Sequence, residues 1–477
     1  MPVPTRSAVA SAPHNNVNRN VPSSQPEGGT PLFDVVVIGG GASGLAAAIS
    51  AARTGARACI IERDVEAGLS ILATGNGRCN LSNTRLDPQR YRHTDIARAV
   101  MGTEPEQAVV AFFDSLGLLM AEEGDGRLYP ITRRAETVRD VLLDGCEREG
   151  VAMRCGCELQ ATRFDTRSSM WILSISEPAA PLRPKAGHDA KAALRNARKA
   201  LASAPRVERT VCAHRVIIAC GGHSKDAASI FGIAHVAEEP MLCPIACTPE
   251  ELGQGALNAL DGLRVEASCT LLRDGTPIAQ ESGEILFRTY GISGIAAFNL
   301  SRRAHPGDTL ALDLFPELED TEFEELLAHR ERILGTFAQA SPAWLNGMLA
   351  PALGALLHRA TRGQLETLSH LCKRLTFRVS GTAEPQQAQV RRGGIPFSTV
   401  NTSTLSVQTN LAPNEPPALF ACGEALDMDA DCGGFNLAWA WLSGMRAGSS
   451  SVASLNSASA DSNRQTNPVS KKADHHA

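Results

Sequence analysis

Aromatic residues make up only 4% of this 477-residue chain, with three tyrosines and four tryptophans. So few rings do not build the stacking platforms that hold bases. Positive charge is also short: 46 Lys and Arg stand against 51 Asp and Glu, for a net charge of −5. Without a basic excess to track phosphates, neither nucleic acid nor an anionic membrane is an expected partner. No apolar run reaches the roughly 20 residues of a membrane-spanning helix. Residues 1–30 lack the apolar core of a secretory leader. The thirteen cysteines form no framework, and only Cys155/Cys157 and Cys243/Cys247 lie close in sequence. That pattern predicts reduced thiols and a cytoplasmic protein. No His/Cys cluster has zinc spacing, no GxSxG nucleophile turn occurs, and no internal repeat is found. No metal site is expected.

What is present suggests an α/β protein in several parts. Residues 1–30 are rich in Pro, Ser and Asn and read as a disordered tail. A first nucleotide-binding portion spans 31–240. Its residues 33–62 read as strand, helix, strand: FDVVVIG is apolar, and Leu45, Ala48, Ile49 and Ala52 follow at helical spacing. Helices are expected over 96–119 and 134–148, and strands over 151–175. Residues 178–208, rich in Ala, Lys and Arg, read as a solvated insertion with some helix, between a strand and its continuation. HRVIIACGG at 214–222 is a further buried strand. An inserted domain spans 241–384, strand-like at first and helical over 320–375. Residues 385–455 complete the first domain, and 456–477 read as a second low-complexity tail.

Gly39-x-Gly41-x-x-Gly44 lies between the first strand and helix, with Ala42 and Ser43 inside it. Glu62 ends the second strand, followed by Arg63. This is the context of a dinucleotide fingerprint. The glycines admit a pyrophosphate to the helix N-terminus, and the acid binds ribose hydroxyls. The next loop, ATGNGRCNLSN at 73–83, offers Asn76, Gly77, Arg78, Cys79 and Asn80. Cys79 stands alone there, and the next cysteine is Cys146, so a local dithiol relay cannot form. Backbone donors, a guanidinium and amides suit an anionic, hydrogen-bonding cofactor such as FAD. Gly221 ends the 214–222 strand. Late in the chain, ACGEALDMDADCGGFNLAWAWLSG predicts a strand, an acidic loop and a helix. Glu424 is placed near the ribityl or pyrophosphate and Asn436 near the flavin ring, which a helix N-terminus faces; Gly423 and Gly434 are further cofactor-binding candidates. Asp427, Asp429 and Asp431 resemble the start of a calcium loop, but Cys432 stands where a glycine is needed and the twelfth-position Glu is missing.

The TGNGRCNLSN, GEILFRTYGISG, RRGGIP and GEALDMDADCGGFNLAWAWLSG segments together resemble bacterial flavoproteins that include aminoacetone oxidase and the BaiN-type bile-acid enone reductases. The likeness runs over about residues 32–450. It implies a Rossmann-like FAD/NAD(P)-binding domain with an inserted β-barrel and a helical subdomain. It also implies that Gly39, Gly41, Gly44, Glu62, Arg78, Cys79, Asn80, Gly423, Glu424 and Asn436 lie along FAD. The chain departs from the family pattern at Cys220, Ala430 and Phe435, and in the length of its insertion. The expected activity is hydride transfer between flavin N5 and a small organic substrate. Reduction of an activated double bond fed by NAD(P)H is the first reading. An amine oxidase using O₂ and a non-catalytic flavin module are the alternatives. Flavin-dependent RNA modification is disfavoured by the acidic balance. With no second GxGxxG, a nicotinamide would bind only transiently. Cys79, Tyr129 and Tyr290 are the candidate proton donors. Oligomeric state is left open.

Overall fold

The computed structural model describes residues 30–185, 187, 189–412 and 418–465. The predicted tail at 1–30 lies outside these but for its last residue, as do residues 466–477. Strand β1 (Leu32–Ile38) is buried over Val35–Ile38, because both faces of its sheet are covered. Helix α1 (Ala42–Arg53) follows, with Leu45, Ala46, Ala48 and Ile49 buried, and then strand β2 (Ala58–Glu62). β1 pairs in parallel with β2 on one side and with the strand Arg206–Ile218 on the other. Beyond β2 lies Ala152–Cys155; beyond Arg206–Ile218 lie Met170–Pro178 and Glu158–Asp165.

The late strand Leu419–Ala421 also pairs with Arg206–Ile218, in parallel, through Val216–Ile218. Two stretches some 200 residues apart thus finish one sheet. Between them, six strands running from Ile245 to Thr382 close into a barrel with its own apolar core. The helices Asp320–Leu334, Pro351–Thr361 and Leu365–Lys373 contribute Phe323, Leu327, Leu353, Leu357 and Leu368 to that core. A short antiparallel pair, Val236–Met241 with Val390–Gly394, joins the two bodies.

Three local expectations change. The 96–119 helix is two helices, Thr94–Met101 and Pro105–Leu116, separated at Gly102 (φ 82°). A proline at the first turn restarts the second. Residues 178–208 do not interrupt one strand. They connect two antiparallel neighbours, Met170–Pro178 and Arg206–Ile218, through a helix at Ala190–Ser203. Asp189 caps that helix by accepting from Ala192 N at 2.7 Å. Lastly, the helix from Phe435 continues to Gln465, past the position where the tail was expected. No helix among the described residues is long and apolar enough to cross a membrane.

Candidate functional site

The site begins with two helices that lie side by side. A Cβ added to Gly444 would come within 2.5 Å of Ser43 O, and one on Gly448 within 2.3 Å of Ala47 O. These matched pairs set α1 and the closing helix (Phe435–Gln465) parallel and in close contact. At 1.5 Å per residue, the closing helix starts about 12 Å before α1 does. Both N-termini therefore point the same way, one stepped ahead of the other. Such ends leave unpaired N–H groups and a partial positive charge.

Around α1, the glycines divide by role. Gly39 (φ 108°) and Gly44 exist for packing: a Cβ would lie 2.5 Å from Ala219 O in the first case and 1.9 Å from Gly39 O in the second. Gly41 differs, since a Cβ there meets nothing nearer than Ser70 Oγ at 3.3 Å. It caps α1 without a side chain, with Ala42 and Ser43 as the first helical residues. The cradle thus has room beside bare backbone, which fits a pyrophosphate. Gly221 (φ 64°) likewise has no atom within 4 Å of an added Cβ. Glu62 ends β2 with its carboxylate turned to the glycine loop, accepting from Gly40 N at 2.6 Å and Asp64 N at 2.8 Å. Asp64 in turn pairs with Arg198 of the insertion helix, which ties that helix to the end of β2. Arg63 belongs to the same corner, where its charge, after burial, lowers the His223 imidazole.

The 73–83 loop meets the mouth of the closing helix. Asn76 (φ 54°) is exposed at its tip, followed by Gly77 (φ 82°). Asn80, with its amide oriented to suit its neighbours, accepts from Gly434 N at 3.1 Å and donates to Ser82 O at 3.0 Å. Asn83 donates to Gly433 O at 3.0 Å, and Trp441 Nε1 to Leu81 O at 2.8 Å. Ser82 Oγ is buried with no hydrogen-bond partner among the described residues. An unsatisfied buried hydroxyl beside a glycine-lined helix end fits a hydrogen-bonding ring there. Gly423 is a contact point between the halves: a Cβ would fall 2.3 Å from Ser43 Oγ.

The three proton-donor candidates do not assemble. Cys79 is fully buried, and burial pushes its thiol up to about 11, so it stays protonated at pH 7. Tyr129 is buried under the Arg78 guanidinium, 4.5 Å from its ring centre. Arg78 itself is engaged by both Glu123 oxygens at 2.6 Å. Tyr290 lies on the barrel, donates to Glu384 Oε2 at 2.9 Å, and is pushed up to about 12 by burial and by that carboxylate. Two other assignments gain partners that sequence did not show. Glu424 is half-buried, accepts from Arg391 N, and is raised to about 7 chiefly by desolvation. Asn436 is bound to the acidic loop, accepting from Ala430 N at 2.9 Å and donating to Ala430 O at 2.9 Å and Asp431 O at 3.2 Å.

That acidic loop is held by arginines. Asp429, wholly buried, accepts from Arg302 Nε at 2.8 Å and from Arg392 at 2.9 and 3.0 Å. Asp431 takes a second Arg302 donor, and Asp427 pairs with Arg92. Burial raises the Asp429 carboxyl, but Arg392 and Arg302 outweigh it and hold it below the usual range. Arg302 comes from the barrel side and is itself buried, so this network locks the inserted domain to the nucleotide domain. Sequence reasoning missed it. The Arg302–Arg303 and Arg391–Arg392 doublets were local signals, and nothing in either pointed to Asp429.

Comparison with known proteins bears on the same regions. A model described as the HI0933-like protein Rossmann domain matches residues 33–180, and one described as the HI0933-like protein barrel and H2TH domain matches 239–390. Over 440 residues the chain is 29% identical to 3-dehydro-bile acid delta(4,6)-reductase of Clostridium scindens, covering 86% of this chain and 97% of that protein. It is 25% identical over 433 residues to ribosomal RNA dihydrouridine synthase of Escherichia coli, covering 86% and 96%. The Haemophilus influenzae protein of the same name is 21% identical over 430 residues, at the same coverage. The Rossmann-domain match covers the first strand, α1 with its bare glycine, and β2, and the chain belongs to the HI0933-like family of FAD-dependent oxidoreductases.

Proposed function

We propose that this enzyme reduces a carbon–carbon double bond conjugated with a carbonyl in a small molecule, with NAD(P)H as electron source. The carrying observation is the pair of parallel helix N-termini, stepped by about 12 Å. One suits a pyrophosphate, and the other suits the electron-rich end of a reduced flavin. Bound FAD supplies the hydride, from N5. The chain's residues bind and orient. Gly41, Ala42 and Ser43 present N–H groups to the pyrophosphate, and Glu62 is within its strand-end position for the ribose hydroxyls. Gly434 and the first turn of the closing helix favour negative charge on the ring.

The names of the relatives support the reaction class. One denotes reduction in a bile-acid 4,6-diene, the other formation of dihydrouridine. In general chemistry both are saturations of a double bond conjugated with a carbonyl. A second reading, an RNA substrate, draws on the two synthase relatives. The net charge of −5 weighs against it. Anaerobic mixing of the holoenzyme with NADH or NADPH, followed at roughly 450 nm, tests the electron source. Rapid bleaching is expected; a flavin that stays oxidised overturns it and returns the oxidase reading. A gel shift with ribosomal RNA at 0.15 M salt separates the two substrate readings.

A further inference from the structure

The insertion helix at Ala190–Ser203 lies outside both family matches, which cover residues 33–180 and 239–390. It rests against the end of β2. Arg198 Nε and Nη2 donate to both oxygens of Asp64, at 2.5 to 3.1 Å. Leu201, three residues on, approaches Gly156, where an added Cβ would come within 3.0 Å of the leucine Cδ1. Gly156 N donates to Asp64 O at 2.7 Å, and Cys157 N to Glu62 O at 2.9 Å. Arg206, just past the helix, donates to Gly156 O at 2.9 Å. Segments 62–64 and 155–157 are therefore tied side by side, and the insertion grips both.

Asp64 is also the residue that steadies Glu62. Its N–H donates to Glu62 Oε1 at 2.8 Å, while Gly40 N donates to Oε2 at 2.6 Å. Each carboxylate oxygen keeps a lone pair for a further donor. One path thus runs from the Arg198 guanidinium through Asp64 to the acid of the dinucleotide fingerprint. An ordinary exposed ion pair contributes little. This one is a fork on a carboxylate whose side chain is only 27% exposed, and the same residue holds Glu62. Burial raises the Asp64 carboxyl, but the bonds and charge of Arg198, with Val65 N and Arg63, outweigh it and hold it below the usual range. The pair is therefore ionic at neutral pH.

We propose that the insertion helix braces the adenosine end of the cofactor site, with Arg198 as a positioning residue that acts through Asp64 to hold the Glu62 carboxylate ready for the ribose hydroxyls of an adenine dinucleotide. The proposal rests on the reading that FAD lies along the glycine loop of α1. Glu62 meets the ligand; Arg198 does not. Without the fork, Asp64 is free to turn, and with it the N–H that fixes one Glu62 oxygen. The ribose then meets a carboxylate that must be ordered on binding. The cost falls on the adenosine half, since the insertion helix makes none of the glycine-loop contacts.

The test compares wild type with Arg198→Ala, Asp64→Ala and the double variant. Release of FAD from diluted holoenzyme is followed by flavin fluorescence. Each single variant is expected to release FAD about three- to tenfold faster than wild type. The double variant should be no faster than the quicker single one, because both residues act on one path. ADP-ribose carries the ribose and pyrophosphate without the flavin. Its affinity for the apo-protein, read by calorimetric titration, should fall by the same factor. Equal release of FAD by all four proteins overturns the brace alone. So do penalties that multiply in the double variant, or an ADP-ribose affinity that does not move. A wild type that takes up no FAD overturns the cofactor reading, and the proposal with it. Should Arg198→Ala misfold, seen as a lowered apo melting temperature, Arg198→Lys decides, since it keeps the charge without the fork. Faster release at an unchanged melt supports the brace, and unchanged release refutes it.

Discussion

The cofactor cradle and the acidic loop stand close together yet are built by opposite means. The cradle is backbone: Gly39, Gly41 and Gly44 with the bare end of α1. The loop is side chain: three aspartates neutralised by arginines from three separate segments. A backbone site needs residues that are small and near in sequence. A side-chain site needs charges brought together by the whole fold, and each must be matched, because a buried unpaired ion is costly. The cradle can therefore lose a ligand and keep its fold, whereas the loop cannot lose a partner without penalty.

The sharpest break of that comparison is Arg302→Ala. It leaves Asp429 and Asp431 buried with reduced pairing, and a loss of about 3–5 kcal/mol is expected in urea unfolding. A loss below about 1 kcal/mol would show that water replaces the arginine freely. Next is Glu424→Gln, which separates a half-buried acid of raised pKa from the paired ones. The folded carboxyl is raised to about 7 by burial, with Arg391 opposing the rise and Glu238 and Asp429 adding to it. A raised acid favours the folded state below its unfolded pKa, and that advantage is lost as pH rises toward and through 7. In apo-protein the variant should therefore gain stability over wild type at pH 8, on the order of 3 kcal/mol, and little at pH 4. Thermal melts at both pH values check this, and equal gains at both would refute it.

Gly444→Val probes the helix pair behind the cradle. Its Cβ would press on Ser43 O, so a loss of about 1–3 kcal/mol is expected by thermal melt, with weaker FAD retention on gel filtration. Gly41→Val is the smallest change in stability and the most selective in function. With nothing of the protein closer than 3.3 Å, the apo-form should melt within about 0.5 kcal/mol of wild type. FAD binding, read by fluorescence titration, should fall at least about tenfold. Equal FAD affinity would place the pyrophosphate elsewhere.

Legibility in the sequence followed the same division. The βαβ unit, the late strand and the GRCN and GGFN loops were readable because their signals are local: apolar runs, glycine spacing and a terminal acid. The helix break at Gly102 and the continuation past 455 were misread because small and polar residues are compatible with either state. The aspartate triplet was compared with a calcium loop and set aside, but its pairing stayed hidden, since its arginine partners lie far off in sequence. Cys79, Tyr129 and Tyr290 were chosen as reactive residue types; the structure buries the thiol, sets Arg78 over the Tyr129 ring and gives the Tyr290 hydroxyl to Glu384, and it does not bring the three together.

By itself the sequence determined the nucleotide-binding unit, the presence of an inserted domain and the glycines where backbone must approach backbone or ligand. Those depend on steric rules that act over a few residues. Only the tertiary structure decided that Glu281 and Asn299 of the barrel reach the mouth of a helix beginning at Phe435, and that Arg302 and Arg392 meet on one buried aspartate. Charge and hydrogen bonding act through space, and chain order does not record which distant groups folding will bring within 3 Å.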